Sequence, residues 1–311
     1  MSYEIVPALE TAADIDRLIA SDADLAREGH GFTGKTMNEI LADPFSLKES
    51  ICAARVNGAT AGFAYAYVLE SLETPWGFVR LGVAAEHRRK GIGSALLDAA
   101  TGAIMKARPD AHEICFGVWQ GNDLAMAFGA RHGFAAARLT WKMEIPESRV
   151  GDAAEPIWPA GIDHRVFDGS HEAFKDWNDS YNASFASHYH YVRSSLDDCY
   201  SMAALPSFRA DGIMLAYRDG RCVGFCRNRA WDDLGDGLGP AAEIAVLGVV
   251  HEEQGLGLGR ALLRWGVRWQ RAHGIRRTSL SVDGENENAL SLYRSEGFEV
   301  TRTRQTWSRR V

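Results

Sequence analysis

The sequence predicts an α/β fold built twice in tandem, and three observations carry that expectation. The length of 311 residues suits two domains, each large enough to bury its own core. A strand–turn–strand pattern, ICAARVNGATAGFAYAY at 51–67, returns as GIMLAYRDGRCVGFCRN at 212–228. A glycine-rich turn behind the tripeptide Leu-Gly-Val, EHRRKGIGSALL at 86–97, returns as EEQGLGLGRALL at 252–263.

Each copy opens on a helix. Residues 11–27 begin with Thr11 three positions before Asp14, a capping-box-like start, and place Ile15, Leu18 and Ile19 on one face. The counterpart near 170–184 spaces Phe174, Trp177 and Tyr181 helically. Two strands follow, joined by Asn57-Gly58 in the first copy and Asp219-Gly220 in the second, pairs that supply the positive φ of a tight hairpin. After an apolar strand and the glycine turn comes a helix whose stripe, Ile92, Leu96, Ala99 and Ala103 or Leu258, Leu262, Trp265 and Trp269, reads as core. NDLAMAFGARHGF at 122–134 and NENALSLYRSEGF at 286–298 lead into the end of each copy. Between the copies, ESRVGDAAEPIWPAG at 147–161 has two prolines, two glycines and no periodic apolar pattern, as a linker would. The expected division is 1–147, a linker at 148–161, and 162–311.

Bulk properties narrow the function. The net charge is −7, and no long basic stretch is available to neutralise a row of phosphates, which argues against nucleic acid. The N-terminus, MSYEIVPALETAADID, lacks the basic start and apolar run of a signal peptide, and no segment approaches 18 uninterrupted apolar residues. The expectation is a cytoplasmic protein with no membrane partner. Cys52, Cys115, Cys199, Cys222 and Cys226 form no CxxC pair and read as reduced thiols packed as small apolar residues, with no metal site.

The glycine turn directs the chemistry. A strand, a short glycine loop and an immediate helix put free backbone N–H groups at the positive end of a helix dipole, a site for phosphate. A dinucleotide fingerprint would need G-x-G-x-x-G/A, whereas the second copy has Gly255, Gly257 and Gly259 and the first only Gly91 and Gly93. Both copies share [Q/R]-x-x-G-x-G, and both share N-x-x-A-x-x-[LF]-x-x-x-x-G-F through Asn122, Ala125, Phe128, Gly133 and Phe134, and Asn286, Ala289, Leu292, Gly297 and Phe298. In these two ordered motifs the chain resembles the GNAT acetyltransferases, and its doubled layout resembles the tandem group that includes mycothiol synthase. The stretch Asn182 to His188 is also similar to that group.

The resemblance implies a bent mixed β-sheet in each domain, flanked by helices, with two central parallel strands splayed to admit the pantetheine arm of acetyl-CoA. It implies donor contacts in the second copy at Leu247, Gly248, Val249, Gln254, Gly255, Leu256, Gly257, Leu258, Gly259, Arg260 and Asn286. In the first copy the matching set is Leu81, Gly82, Val83, Arg88, Arg89, Lys90, Gly91, Ile92, Gly93, Ser94 and Asn122. No metal is implied. The acceptor would be a small-molecule primary amine, and the chain a monomer or homodimer.

Acetyl transfer to an amine needs a base, a polarised carbonyl and a proton for the departing thiolate. The resemblance makes Glu243 the base, the Val249 amide the carbonyl donor and Tyr293 the proton source. Each side chain has a plainer reading, Tyr293 as a core aromatic and Glu243 as a salt-bridged strand residue facing solvent. In the first copy, Gly129 aligns with Tyr293, and counting six residues back from Val83 aligns Gly77 with Glu243. The first domain is therefore expected to bind acetyl-CoA without turning it over, Arg88, Arg89 and Lys90 adding charge to its cradle or else forming a solvated face. A non-catalytic acetyl-CoA-binding regulator or scaffold is the alternative. Trp177, Tyr181, Phe185, Tyr189 and Tyr191 suggest an aromatic acceptor entrance. His188 and His190 read as substrate contacts or a polar loop, and Asp232 to Gly237 as a solvated turn rather than a calcium loop.

Overall fold

The computed structural model describes residues 2–29, 36–70, 75–149, 154–188, 191–234 and 237–311. Its contacts divide the chain into one unit of residues 1–138 with 305–311, and a second of 139–304. The expected placement of 139–147 in the first domain and of 305–311 in the second is thus exchanged.

The elements up to residue 144 are β1 (Glu4–Pro7), α1 (Ala13–Ser21), α2 (Ala23–Glu28), α3 (Met37–Ala42), β2 (Ser46–Val56), β3 (Ala59–Glu70), β4 (Pro75–Val83), α4 (Ile92–Ala107), β5 (Glu113–Trp119), α5 (Asp123–Arg131) and β6 (Ala135–Glu144). They are followed by β7 (Asp163–Val166), α6 (His171–Phe185), α7 (Leu196–Ala203), β8 (Phe208–Arg218), β9 (Arg221–Trp231), β10 (Ala241–Val249), α8 (Leu258–Ala272), β11 (Arg277–Asp283), α9 (Glu287–Ser295) and β12 (Glu299–Arg310).

In the first unit β1 to β4 are antiparallel, and β4 runs parallel to β5 only from Trp76 to Phe78 before the two diverge. The far side of β5 is taken by the last residues of β12. Trp307 stacks on Phe116 at 6.4 Å, and the Val311 amide donates to the His112 carbonyl. The second unit repeats the arrangement: β7 to β10 are antiparallel, and β10 runs parallel to β11 only as far as Ile244. Beside β11 runs the end of β6, where Met143 is fully buried among the core side chains that include Leu280 and Val282. Both sheets are mixed, with the central parallel pair splayed.

The hairpins close as their turn residues require. Asn57 and Gly58 have φ of 50° and 80°, Asp219 and Gly220 49° and 78°, so each two-residue loop matches the twist of its strands. One face of each sheet is covered by the helix after the glycine turn, through Ile92, Leu96 and Ile104 on α4 and Leu258, Leu262 and Val267 on α8. The opposite face packs on α1 to α3 in the first unit, and on α6 and α7 in the second through Phe174, Trp177 and Cys199. The stretch expected as one helix, 11–27, breaks at Asp22, which adopts extended φ and ψ and accepts from the Asp24 and Leu25 amides as the cap of α2. Thr11 does not cap α1, whose N-cap is Ala12. All five cysteines are free and buried, and burial pushes the Cys52 and Cys222 thiols up to about 11.

Candidate active site

The end of β10 builds the centre of the second unit's site. The Val250 amide donates to the Val223 carbonyl at 3.0 Å, so by the alternation of an antiparallel ladder the Val249 amide turns away from β9, toward the side from which β11 has diverged. The Val249 carbonyl on that side accepts from Gln254 Nε2 at 3.0 Å, which pins the glycine turn to the strand end. Gly255 and Gly257 have φ of 77° and 92°, backbone that a side chain would strain. Gly257 is the N-cap of α8, and no side chain satisfies the amides of its first turn. Leu258, Gly259 and Arg260 thus begin a 15-residue helix whose first-turn N–H groups have no side-chain cap, the arrangement that suits an anion.

Other expected donor contacts are committed elsewhere. Arg260 bonds Ser295 at 2.9 Å and pairs with Glu296, which Arg264 also grips at 2.8 Å. Asn286 caps α9, accepting from the Ala289 amide at 3.0 Å. Gly248 is buried on β10 after Leu247, and a Cβ there would meet the Phe225 ring at 2.5 Å and Phe185 at 3.1 Å, so close packing requires the glycine. Beside the turn a groove of about 280 Å³ is lined by Ile157, Trp158, Leu256, Gly257 and Arg264.

Glu243 does not face solvent. Its carboxylate lies 2.7 Å from Arg229 Nη2 and both side chains are nearly enclosed, 14% and 12% exposed. Arg229 in turn lies over the Trp231 ring. Tyr293 stands on α9, 7% exposed, against Phe298 and the core cluster that holds Cys226. Burial pushes its phenol well above the ordinary value of 10, so it stays protonated throughout the physiological range.

The first unit repeats the scaffold with different side chains. The Ala84 amide donates to the Ala61 carbonyl, turning the Val83 amide outward as in the second unit. Arg88 Nε donates to the Val83 carbonyl at 3.0 Å, taking the place of Gln254. Its charge goes to Asp24 at 2.6 Å and Asp22 at 3.7 Å, and Lys90 donates to the Glu86 carbonyl. Two of the three cations expected to serve the cradle thus also bond within the first unit, while Arg89 is exposed with φ of 61°. Gly91 caps α4 in left-handed conformation without a side-chain bond. Leu81 and Gly82 lie near the end of strand β4, Ile92 is buried, Gly93 abuts Phe128, Ser94 bonds His132 at 3.0 Å, and Asn122 caps α5 and also bonds Glu28.

The register corrects one alignment. A bulge between Ile244 and Val246 adds a residue to β10, and Glu243 sits opposite Arg229 and Ser279. In the first unit the residue opposite the matching strand positions, Tyr67 and Cys115, is Phe78, not Gly77. Phe78 takes no proton either. At Gly129 a Cβ would lie 2.5 Å from Phe116 and 3.2 Å from Trp307, whose rings fill the place that Tyr293 occupies in the second unit.

The aromatic entrance divides on inspection. Trp177 and Tyr191 are core residues, whereas Tyr181 and Phe185 are partly exposed and stack at 5.0 Å. His188 packs edge-on to Phe185. Tyr189, His190 and two residues of the 232–237 turn lie outside the described residues, as do 150–153 of the linker. Among the described residues no cluster of acids, cysteines and histidines is placed to hold a metal, and no helix is long and apolar enough to cross a membrane. Arg229, Phe116 and Trp307 were missed in the sequence; the charged run Arg227-Asn228-Arg229 on an otherwise apolar strand was the available signal for the first.

Two phosphate-type cradles on a doubled scaffold accord with the family comparison, in which the pattern of the acetyltransferase (GNAT) family matches residues 21–134 and again 171–298. The chain belongs to that family. Among curated relatives, the mycothiol acetyltransferase of Frankia alni is 36% identical over 69% of this chain and 65% of its own length. The mycothiol acetyltransferase of Kineococcus radiotolerans is 37% identical over 70% of this chain and 67% of its own. These matches span about two thirds of the relatives' length. A solved tandem GNAT protein from the clavulanic acid biosynthesis pathway superposes with a TM-score of 0.74 at 17% identity, covering 99% of this chain and 98% of that one. The GNAT fold is thus present twice, and GNAT proteins take acetyl-CoA as donor.

Proposed function

We propose that this GNAT protein transfers acetyl from acetyl-CoA to the primary amine of a small molecule, with chemistry confined to the second unit. The observation that carries the reading is that the second unit sets the enclosed Glu243 carboxylate and the enclosed Tyr293 phenol on the elements around an outward-turned strand-end amide, where the first unit has Phe78 and Gly129 at the matching positions. The amides at the start of α8 receive the pyrophosphate, the groove beside Trp158 the nucleotide end, and the gap between β10 and β11 the pantetheine.

The Val249 N–H polarises the thioester carbonyl. Glu243 takes a proton from the acceptor ammonium and releases it to solvent, and the free amine attacks the carbonyl carbon. A C–N bond forms, the C–S bond breaks, and the nitrogen proton is lost through Glu243. The sulfur leaves as a thiolate, and Tyr293 supplies its proton and regains one from solvent after the products depart. Because burial weakens Tyr293 as an acid, its part is to keep a proton aimed at a thiolate that is itself desolvated.

In the first unit the uncapped α4 and the outward Val83 amide support acetyl-CoA binding, while Phe78 and Gly129 stand where the second unit has Glu243 and Tyr293 and carry no proton. Calorimetry on the full chain tests the pair of claims: two acetyl-CoA molecules per chain are expected, falling to one in Gly257→Val. Steady-state acetylation of an amine panel by Glu243→Gln and Tyr293→Phe tests the catalytic roles; undiminished activity in either removes that residue. The name of the curated relatives makes a mycothiol precursor one acceptor to include in the panel.

A further inference from the structure

Beside Glu243 lies a charge that the transfer reaction does not use. Arg227 is 7% exposed on β9, pairs in register with Val246 at the bulge, and sits two residues from Arg229 on the same face of the strand. That face looks onto α6 and α7, where the Arg227 guanidinium lies over the Trp177 ring at 5.5 Å. Among the described residues it makes no hydrogen bond and no ion pair, and its Nε is enclosed without a partner. A desolvated guanidinium without an acceptor is costly, and such groups are ordinarily paired.

The neighbourhood does not neutralise it. The ionisable groups that act on Arg227 are Arg229 beside it, Glu243 on β10, Tyr181 on α6 and Cys199 on α7. Glu243 is already engaged by Arg229, so two cations face one carboxylate. Burial first, and Arg229 second, lower the Arg227 pKa to about 10, which still leaves it charged at neutral pH. A cationic acceptor with no negative group would add to that excess.

We propose that Arg227 binds a carboxylate carried by the amine acceptor, so that the substrate class is an amino acid or an amine bearing a carboxylate. The proposal rests on the second unit being the acceptor site. A planar guanidinium matches the two oxygens of a carboxylate, and the substrate's anion supplies what the protein withholds. Glu243 then meets the ammonium end and Arg227 the opposite end of one zwitterion.

The probes are α-amino acids and the linear ω-amino acids from β-alanine to 6-aminohexanoate, each compared with its carboxamide. Binding to the full chain saturated with CoA is measured by calorimetry, and kcat/KM with acetyl-CoA where turnover occurs. For at least one chain length the carboxylate is expected to bind about 10- to 100-fold tighter than the amide. Arg227→Gln is expected to abolish that ratio and Arg227→Lys to restore part of it, with acetyl-CoA affinity unchanged. Equal or reversed affinity at every length, or equal losses for acid and amide in Arg227→Gln, overturns the proposal. Tight, Arg227-dependent binding without turnover upholds it while refuting the catalytic reading.

Discussion

The Glu243 carboxylate and the Arg229 guanidinium lie 2.7 Å apart on adjacent strands, both nearly closed off from solvent. The pair fixes the carboxylate beside the bulge of β10. Glu243→Gln is expected to lower kcat/KM by about 10²- to 10⁴-fold with the KM for acetyl-CoA unchanged, as loss of a general base does. Arg229→Met removes the cation that faces a buried carboxylate and is expected to destabilise the chain by about 3 kcal/mol in denaturant unfolding.

Tyr293→Phe keeps the ring packing against Phe298 and removes only the hydroxyl. Turnover is expected to fall by about 10²-fold at unchanged unfolding midpoint. Since burial raises the phenol's pKa above its ordinary 10, the wild-type rate should show no loss from Tyr293 ionisation as pH rises from 8 to 10. An alkaline limb in that window that disappears in Tyr293→Phe would contradict this placement.

Gly257 caps α8 at φ of 92°. Gly257→Ala imposes about 1–2 kcal/mol of left-handed strain on the turn. A rise in the KM for acetyl-CoA of about 10-fold, with a smaller change in kcat, is the expected result in steady-state kinetics.

Trp307 and Phe116 fill the space above Gly129 in the first unit. Gly129→Tyr is therefore expected to disrupt packing and to leave the first unit inactive, measured as a lowered melting temperature without gain of turnover. Removal of 305–311 strips the strand beside β5 and should lower the first unit's stability by about 3 kcal/mol, the cost of losing a packed tryptophan.

Asp22 receives the amides of Leu25, Ala85 and Asp24 and faces Arg88, and although burial opposes them these hold its carboxyl below 3.8. A depressed folded pKa contributes stability above the unfolded value that is lost as pH falls through the folded one. Asp22→Asn is expected to cost about 1 kcal/mol at pH 7, with the gap to wild type closing below about pH 4 in thermal melts.

Much of the scaffold was legible in residues that act locally. Asn57-Gly58 and Asp219-Gly220 dictate two-residue hairpins, and the glycines at 91 and 257 dictate left-handed caps, because these conformations depend on the absence or tolerance of a Cβ at one position. Glu243 stood out as a charge on an otherwise apolar strand, and Tyr293 by its place in the motif shared with the family. The alignment of Gly77 with Glu243 failed because a bulge is a property of two paired strands, and one strand's sequence does not count its partner's residues.

The sequence by itself determined a doubled α/β chain with two glycine turns, and placed Glu243 and Tyr293 in one copy only. Only the tertiary structure decided that Arg88 bonds the end of β4 and pairs with Asp24, that Glu243 is gripped by Arg229, and that the buried Arg227 Nε has no hydrogen-bond partner among the described residues. It also decided which unit 139–147 and 305–311 complete. The reason is common to all of these: charge pairing and strand order depend on which distant residues meet, and periodicity along the chain records which face is apolar but not what that face touches.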